Sequence, residues 1–459
     1  MSQAAESGAP GRLRHLIWPS VFLLIVLLSR LPLLGGGYGS DHDAWRNAVA
    51  GVHMRDLGHY QPSRVPGFPV FETITAVLVP WGWKATNGAA ILAGLVAVAL
   101  FLRLAVRLQL RSPRWLGFGF AFGGAMWVAT AQTMDYAFGI ALLLGSYLAL
   151  LARRHGWAGI LLGLAAGCRV SNAALVVSAM LLLIRRRERL LGWLTFTAAF
   201  GAATALLFLP VVGAVEIDGL GRHAAYHIGR AHVTPENLVT VLRGAVTFCV
   251  GKLGAIVLAI GLASALFTSL RRRPKSPRGT PDQDPAVAFE LSAIALIGTM
   301  FVLVPYESAY LLPALPFAMF LVSRALSPGW IVGWVLVLAF ESLAMPQLDP
   351  CRVRPGRLFA EIGQRRDDLT AARRLAGLRP ESPTVFVVGR FRIHRLLLLE
   401  PRLERFPPAW APFQGSGVAL LAPGHKVGYA ASLTEQEQDS LQSSGYAIAV
   451  WPPDAATAR

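Results

Sequence analysis

The chain has 459 residues, of which 54% are hydrophobic and only 15% charged, whereas a soluble domain usually has about a quarter charged residues. The net charge of +17 fits a membrane protein whose basic loops stay in the cytoplasm, and no zinc-finger spacing or basic-aromatic run supports nucleic-acid binding. Three widely spaced cysteines indicate no disulfide framework. The composition therefore predicts a polytopic membrane protein.

Apolar runs predict most of the membrane crossings directly. The first, at residues 17–34, follows Arg12 and Arg14 and has no clear cleavage site, so it predicts an uncleaved helix with a cytoplasmic N-terminus. The later runs approach the length that a bilayer requires. They lie at residues 87–107, 115–131, 136–152, 191–212, 246–268, 286–304, 311–326 and 330–345.

Basic clusters decide how two ambiguous stretches are placed, because lysine and arginine are retained on the cytoplasmic side. Residues 68–83 are then predicted to form an interfacial helix on the outer face. Residues 157–184 are predicted to form a hairpin, with Arg169 near its outward tip. The clusters that force these placements lie at residues 107–114, 153–154, 185–189 and 271–278.

The predicted fold class is therefore an all-α polytopic membrane protein with about eleven crossings. Residues 1–345 form the transmembrane domain, and residues 346–459 form a small α/β domain that faces outward together with the C-terminus. The sequence pattern of this second domain predicts one helix and three short strands. They lie at residues 355–377, 384–388, 417–421 and 447–451. No internal repeat of the kind that marks many transporters is present.

The first outer loop carries a pair of carboxylates. Ser40 is predicted to cap an interfacial helix that places Asp41 and Asp43 in its first turn and Trp45 on its apolar face. Such a carboxylate can accept a proton from a hydroxyl or hold a divalent metal through oxygen. The alternative is that the two residues only cap the helix, and the loop by itself leaves both readings open.

Further charged residues fall on the same side once the basic loops are placed inside. Asp135 ends the third helix, and Glu307 precedes a later one. Arg64 and Arg169 could each reach lipid headgroups or bind a lipid phosphate, since the guanidinium fork matches phosphate oxygens. Lys252, about a third of the way down the 246–268 helix, invites the same interpretation. Glu341 is interpreted as a boundary residue.

The order of these motifs resembles the GT-C superfamily of polyprenyl-phosphate-dependent glycosyltransferases, which includes protein O-mannosyltransferases and aminoarabinose transferases. The shared order is one helix, an outer loop with an acidic pair, an interfacial helix after a Pro-Gly-x-Pro turn, and an acidic residue ending the third helix. The run from Glu307 to Pro316 also resembles the start of a late helix in these enzymes. The resemblance covers roughly residues 15–345 and, more loosely, the outward C-terminal domain.

The resemblance implies roles for particular residues. Asp41 matches the family's first-loop aspartate best, because Trp45 follows four positions later, and Asp43 is close behind; Asp135 matches the second-loop acid. Asp41 and Asp135 are then the candidates for holding a divalent metal. Ala309 stands where the family has an arginine, so the phosphate contact falls to Arg64, Arg169 or Lys252. Arg46, Glu307 and Tyr310 complete the predicted substrate-binding set.

The function implied is transfer of a sugar from a polyprenyl-phosphate donor to an acceptor glycan, lipid or protein on the extracytoplasmic side. The expected location is the bacterial inner (plasma) membrane. Two other classes remain open: a transporter or lipid flippase, which also needs charges in a membrane cavity, and a non-catalytic assembly subunit whose outward domain binds a partner.

Overall fold

The computed structural model describes residues 9–215, 235–271, 283–304, 307–346, 353–399, 419–421 and 426–451. The described chain is mostly helical. Its α-helices are α1 (Ala9–Arg30), α2 (His42–Leu57), α3 (Pro69–Leu78), α4 (Gly82–Arg107), α5 (Pro113–Phe122), α6 (Gly124–Ala129), α7 (Tyr136–Leu151), α8 (His155–Cys168), α9 (Leu175–Arg185), α10 (Leu190–Val215), α11 (Pro235–Val250), α12 (Lys252–Arg271), α13 (Gln283–Leu303), α14 (Leu315–Ala325), α15 (Pro328–Leu343), α16 (Arg357–Ala376), α17 (Arg390–Leu399) and α18 (Glu435–Ser443). Short 3-10 turns lie at Leu31–Gly35, Val79–Trp81, Val170–Ala174 and Ser308–Ala314.

The helices fit an integral membrane protein. Among the described residues, five helical segments are long and apolar enough to cross a bilayer, or six if the bent pair α11–α12 counts as one span. Shorter apolar helices, α7, α8, α9 and α15, lie among them. The predicted total of eleven crossings stays a prediction. Most helix ends agree with the predicted runs to within a few residues. The predicted 115–131 helix is instead two helices, α5 and α6, that break at Gly123. The predicted interfacial helix at 68–83 is α3 and a 3-10 turn that continue into α4, so that residues 69–107 form one apolar helical segment.

Contacts between loops that are far apart in the sequence show which helix ends lie together. At one end, which we call the basic face, the chain after α7 meets the chain after α9: the Glu188 carboxylate lies 3.2 Å from Arg153 and 3.7 Å from His155. Arg107, at the end of α4, donates to the Leu151 carbonyl at the same place. Three of the basic clusters assigned to the cytoplasm therefore share one face.

The predicted reversal at Arg169 is present, although its arms are splayed. Both flanks, residues 153–155 and 186–188, lie at the basic face, while Arg169 pairs with Asp135 at the other end of α7. The two arms pack against different partners, α8 against α7 and α10, and α9 against α13. The residue at the turn therefore sits where several helix ends meet.

The predicted 246–268 span is wrong as a single straight helix. It is two helices, α11 and α12, that meet at an angle of 96°. Gly251 turns the chain with φ = 73°, a conformation that favours glycine. Glu341 accepts hydrogen bonds from the backbone amides of Leu253 and Gly254 in the first turn of α12. Lys252 is consequently the first residue of α12, directly after the bend, and its side chain is exposed. Glu341 is a helix cap.

The C-terminal part contains the predicted helix and the three predicted strands, and its described residues also form two helices and three strands that were not predicted. Strands β1 (Ala344–Pro346) and β2 (Val353–Pro355) form a two-stranded ribbon. The other four form one sheet in the order β4-β5-β3-β6, with β3 parallel to both neighbours. They are β3 (Thr384–Val387), β4 (Ala419–Leu421), β5 (Val427–Ala430) and β6 (Ala447–Val450). Leu358 and Leu369 of α16 pack into the main helical core, so α16 links the sheet to the transmembrane part.

Candidate active site

The first-loop carboxylates lie at the start of α2, as predicted, but with a different cap. Asp41 is the N-cap residue and accepts a hydrogen bond of 2.9 Å from the Asp43 amide. Ser40, which the sequence predicts as the cap, instead donates its hydroxyl to Glu361 of α16 at 2.8 Å. The Asp41 side chain is 27% exposed, whereas that of Asp43 is 8% exposed. Asp41 is therefore the carboxylate that a ligand can reach.

Four charged side chains from four segments form an alternating chain. Arg64 Nη1 lies 2.5 Å from Asp43, and Arg64 Nη2 lies 3.6 Å from Asp135. Arg169 donates to both oxygens of Asp135, at 2.7 and 3.3 Å. The structure thus brings together four residues predicted from widely separated parts of the sequence. We call this set, with Asp41 and Glu307, the site cluster, and its end of the molecule the site face.

Glu72 holds the turn that carries Arg64. This fully buried carboxylate accepts hydrogen bonds from the Ser63 amide at 2.7 Å, the Ser63 hydroxyl at 2.6 Å and the Phe68 amide at 2.9 Å. The Tyr60 hydroxyl is its fourth donor. A buried carboxylate with this many donors is well satisfied, and it constrains the chain on both sides of Arg64. In the sequence, the sign of this structural role was a carboxylate within an otherwise apolar segment.

Aromatic rings surround the two guanidinium groups. The carbon Cζ of Arg64 lies 4.3 Å from the ring centre of Phe68. Arg169 lies 4.3 Å from the ring of Tyr136 and 4.9 Å from that of Tyr310. Rings at these distances attract a cation and exclude water from it. Tyr310 was predicted as a site residue. Phe68 and Tyr136 were not, although each lies close in the sequence to a charged residue that was predicted.

The acidic residues of the cluster differ in proton affinity. Burial raises the pKa of Asp41, and the neighbouring Asp43 carboxylate raises it further. Burial acts the same way on Asp43, but Arg64, His42 and Arg46 outweigh it and lower the pKa of Asp43. A group with a raised pKa is the better proton acceptor near neutral pH. Asp41 is therefore suited to a base, and Asp43 to a fixed negative charge.

Glu307 is a second carboxyl group with an altered proton affinity. Burial, followed by the charges of Asp41 and Asp43, raises the pKa of Glu307 to about 7. The Tyr136 hydroxyl donates to its Oε2 at 3.3 Å. The charge of the site face therefore changes within the physiological pH range.

The donor set for a divalent metal is Asp41, His42 and Asp43, whose ligand atoms lie within 4.8 Å of one another. Two carboxylates and an imidazole suit a divalent transition metal, although Asp43 is also paired with Arg64. Asp135, predicted as a metal ligand with Asp41, is less suited, because both of its oxygens face Arg169 and one also faces Arg64.

Three predicted residues lie at or beyond the edge of the cluster. Arg46 Nη1 is 3.9 Å from Asp43. Trp45 is 1% exposed, donates its indole N–H to the Gly39 carbonyl at 2.8 Å, and packs on Tyr38, so it supports the loop. Lys252 has no ion pair with the site cluster in the described part of the chain, and it lies at the α11–α12 bend.

Helices from the C-terminal part clamp the first loop. Glu361 accepts from Ser40, and Arg395 of α17 donates to the Ser40 carbonyl at 3.1 Å. Arg365 binds Glu361 at 2.6 Å and the backbone carbonyls of Leu33 and Ala131 at 3.0 and 2.8 Å. Ser40, the residue before Asp41, is thus positioned by two helices of the C-terminal part. The sequence did not predict this contact.

No protein-family model and no curated protein matches the sequence. The structure is similar to the crystal structure of ArnT from Cupriavidus metallidurans bound to undecaprenyl phosphate. The TM-score is 0.52 with 16% sequence identity, and the match covers 85% of each chain. This likeness shows that the chain has a fold of the ArnT kind.

Proposed function

We propose that this protein is a membrane glycosyltransferase that takes its sugar from a polyprenyl-phosphate donor. The observation that carries the proposal is the pair Arg64 and Arg169, two largely buried arginines that converge on Asp135. They do so at one end of a helical membrane fold similar to that of ArnT, which was solved with undecaprenyl phosphate.

The arginines are suited to bind the phosphate of the donor. Arginine presents planar, paired donors that match phosphate oxygens, and it stays charged when buried. Burial opposes the charge of Arg64, but Asp43 and Asp135 outweigh it and raise its pKa, so it stays protonated. Both side chains are already oriented by carboxylates, so little reorganisation is needed when charge develops on the phosphate.

Asp41 is the proposed base. It would take the proton of the acceptor hydroxyl as that oxygen attacks the anomeric carbon of the sugar. The bond from that carbon to the phosphate oxygen breaks, and the polyprenyl phosphate leaves with the electron pair, stabilised by Arg64 and Arg169. Asp43, which stays ionised beside Arg64, would position that arginine. Base catalysis of this kind typically contributes about 10²- to 10⁴-fold in rate.

A divalent metal, if the reaction uses one, would be held by Asp41, His42 and Asp43. It would add positive charge beside the leaving phosphate. In that case Asp41 would serve as a ligand rather than as the base.

The site face is proposed to be extracytoplasmic. The shared basic face of Arg107, Arg153 and Arg186 would lie in the cytoplasm under the positive-inside rule. The N-terminus would then be cytoplasmic, and the C-terminal sheet would lie outside, beside the acceptor.

The test is transfer of radiolabelled sugar from polyprenyl-phosphate donors by the purified protein in lipid nanodiscs. Asp41→Asn is nearly isosteric and removes the charge and basicity, so we expect activity to fall by about 10²-fold or more. Asp56→Asn, an exposed residue at the far end of α2, is the matched control and should retain wild-type activity. Wild-type transfer by Asp41→Asn, or no transfer by the wild type from any such donor, would refute the proposal.

A further inference from the structure

A charged cavity lies between α16 and the turn that follows α1. The cavity has a volume of about 340 Å³, which is within the range of small-ligand pockets. One wall is the end of the first candidate span and the glycine loop after it, through Pro32, Leu33, Gly35 and Gly36. We call this cavity the α16 groove.

The other wall is a single stripe of α16. Its residues recur three or four positions apart, so they share one helix face. The stripe combines three arginines with apolar and hydroxyl side chains: Ile362, Arg365, Arg366, Leu369, Thr370 and Arg373. Among the described residues that line the groove, none is acidic. Arg365 is paired with Glu361, so the groove keeps the positive charges of Arg366 and Arg373.

The stripe's arginines differ in their surroundings. Arg365 is 1% exposed, and its Nη2 has no hydrogen-bond partner among the described residues, although its other nitrogens are bonded. Gly36 allows its stem to approach closely, since a Cβ there would lie 2.7 Å from the Cβ of Arg365. Arg366 and Arg373 are exposed and have no ion pair within the described chain. A buried donor left unpaired is costly unless a ligand satisfies it.

We propose that the α16 groove binds the phosphate-bearing headgroup of an anionic lipid. Pro32 and Leu33 belong to the last turns of a span that ends at Gly35, so the groove opens at the level of the lipid headgroups. Its apolar residues suit the glycerol and upper acyl region, and its arginines suit the phosphate. A bound headgroup bridges the turn after α1 and α16, and α16 also carries Glu361, the hydrogen-bond acceptor of Ser40.

The proposal is independent of sugar transfer and is tested without it. The full chain is reconstituted in phosphatidylcholine nanodiscs containing phosphatidylglycerol, and the phosphatidylglycerol retained after detergent extraction is counted by native mass spectrometry. Each arginine near an anionic lipid contributes on the order of fivefold in binding. The double variant Arg366→Gln/Arg373→Gln should therefore retain roughly ten- to thirtyfold less phosphatidylglycerol.

The control is Arg354→Gln/Arg374→Gln, which changes the net charge equally at two exposed arginines outside the groove. It should retain phosphatidylglycerol as the wild type does. Equal retention by the groove variant, or equal loss by the control, would overturn the site. Thermal stabilisation of lipid-free protein by inorganic phosphate, lost in the groove variant and as large as that given by phosphatidylglycerol, would replace a lipid site with a soluble-anion site.

Discussion

Two buried clusters of acidic, basic and aromatic residues lie towards opposite ends of the helices, and they differ in how completely their charges are matched. Towards the basic face, Glu290 is fully buried, accepts from Arg324 at 2.5 and 3.1 Å, and accepts from the Tyr147 hydroxyl at 3.0 Å. One carboxylate meets one guanidinium. On the site face, Asp135 is shared by Arg64 and Arg169, while no arginine of the described residues lies within salt-bridge distance of Asp41 or Glu307.

The difference separates a structural pair from a site. The Glu290–Arg324 pair is closed, because each charged group is satisfied by its partner and a ligand would have to displace it. The site cluster is open, because Asp41 is partly exposed and because the two oxygens of Asp135 are shared between Arg64 and Arg169. An incoming phosphate can replace part of that shared contact. The same residue types therefore serve packing at one end and binding at the other.

The largest effect is expected at Arg169. Arg169→Ala removes one of the two phosphate-binding groups and should abolish nearly all transfer. Arg169→Lys keeps the charge but loses the paired donors, and the loss of one charge-assisted contact costs about 1.5–3 kcal/mol. We expect roughly ten- to a hundredfold weaker use of the lipid donor, measured as KM for the donor in nanodiscs. Unchanged donor kinetics in Arg169→Lys would make this residue structural.

The matched control is Arg324→Lys in the closed pair. It should lower thermal stability, because lysine cannot bind both oxygens of Glu290 in the same way, while the KM for the donor stays at the wild-type value. If Arg324→Lys and Arg169→Lys change donor KM equally, the distinction between an open and a closed cluster is wrong.

A smaller effect is expected from pH. Because the pKa of Glu307 is raised to about 7, this group is neutral below that value and negatively charged above it. A phosphodiester donor keeps its single charge throughout, so ionised Glu307 repels it. Donor affinity should fall by about two- to fivefold from pH 6 to pH 8. Glu307→Gln should bind the donor with a flat profile over that range; a profile as steep as the wild type's would assign the titration to another group.

Much of this arrangement could be predicted from local sequence patterns. Apolar run lengths located the helices, and the basic clusters predicted that Asp43, Asp135 and Arg169 lie on one side, where the structure brings them together. The predicted strand at residues 384–388 is also present as β3. These features depend on composition within a short window, which hydropathy and charge describe well.

The remaining features depend on contacts that no short window contains. Hydropathy reports how apolar a segment is but not where its backbone bends, so the bend at Gly251 was not predicted. The bend requires a positive φ at Gly251 and the cap provided by Glu341, 90 residues later in the chain. The bond from Ser40 to Glu361 spans 321 positions. Trp45 has the spacing of a site residue but is part of the packing beneath the loop.

A structure of this protein with undecaprenyl phosphate bound would show directly whether the two arginines form the donor site. We expect the phosphate to lie within hydrogen-bonding distance of the guanidinium groups of Arg64 and Arg169, with Asp41 on the side open to an acceptor. A phosphate bound elsewhere, for instance at Arg324 on the basic face, with Arg64 and Arg169 still paired only to Asp43 and Asp135, would contradict it.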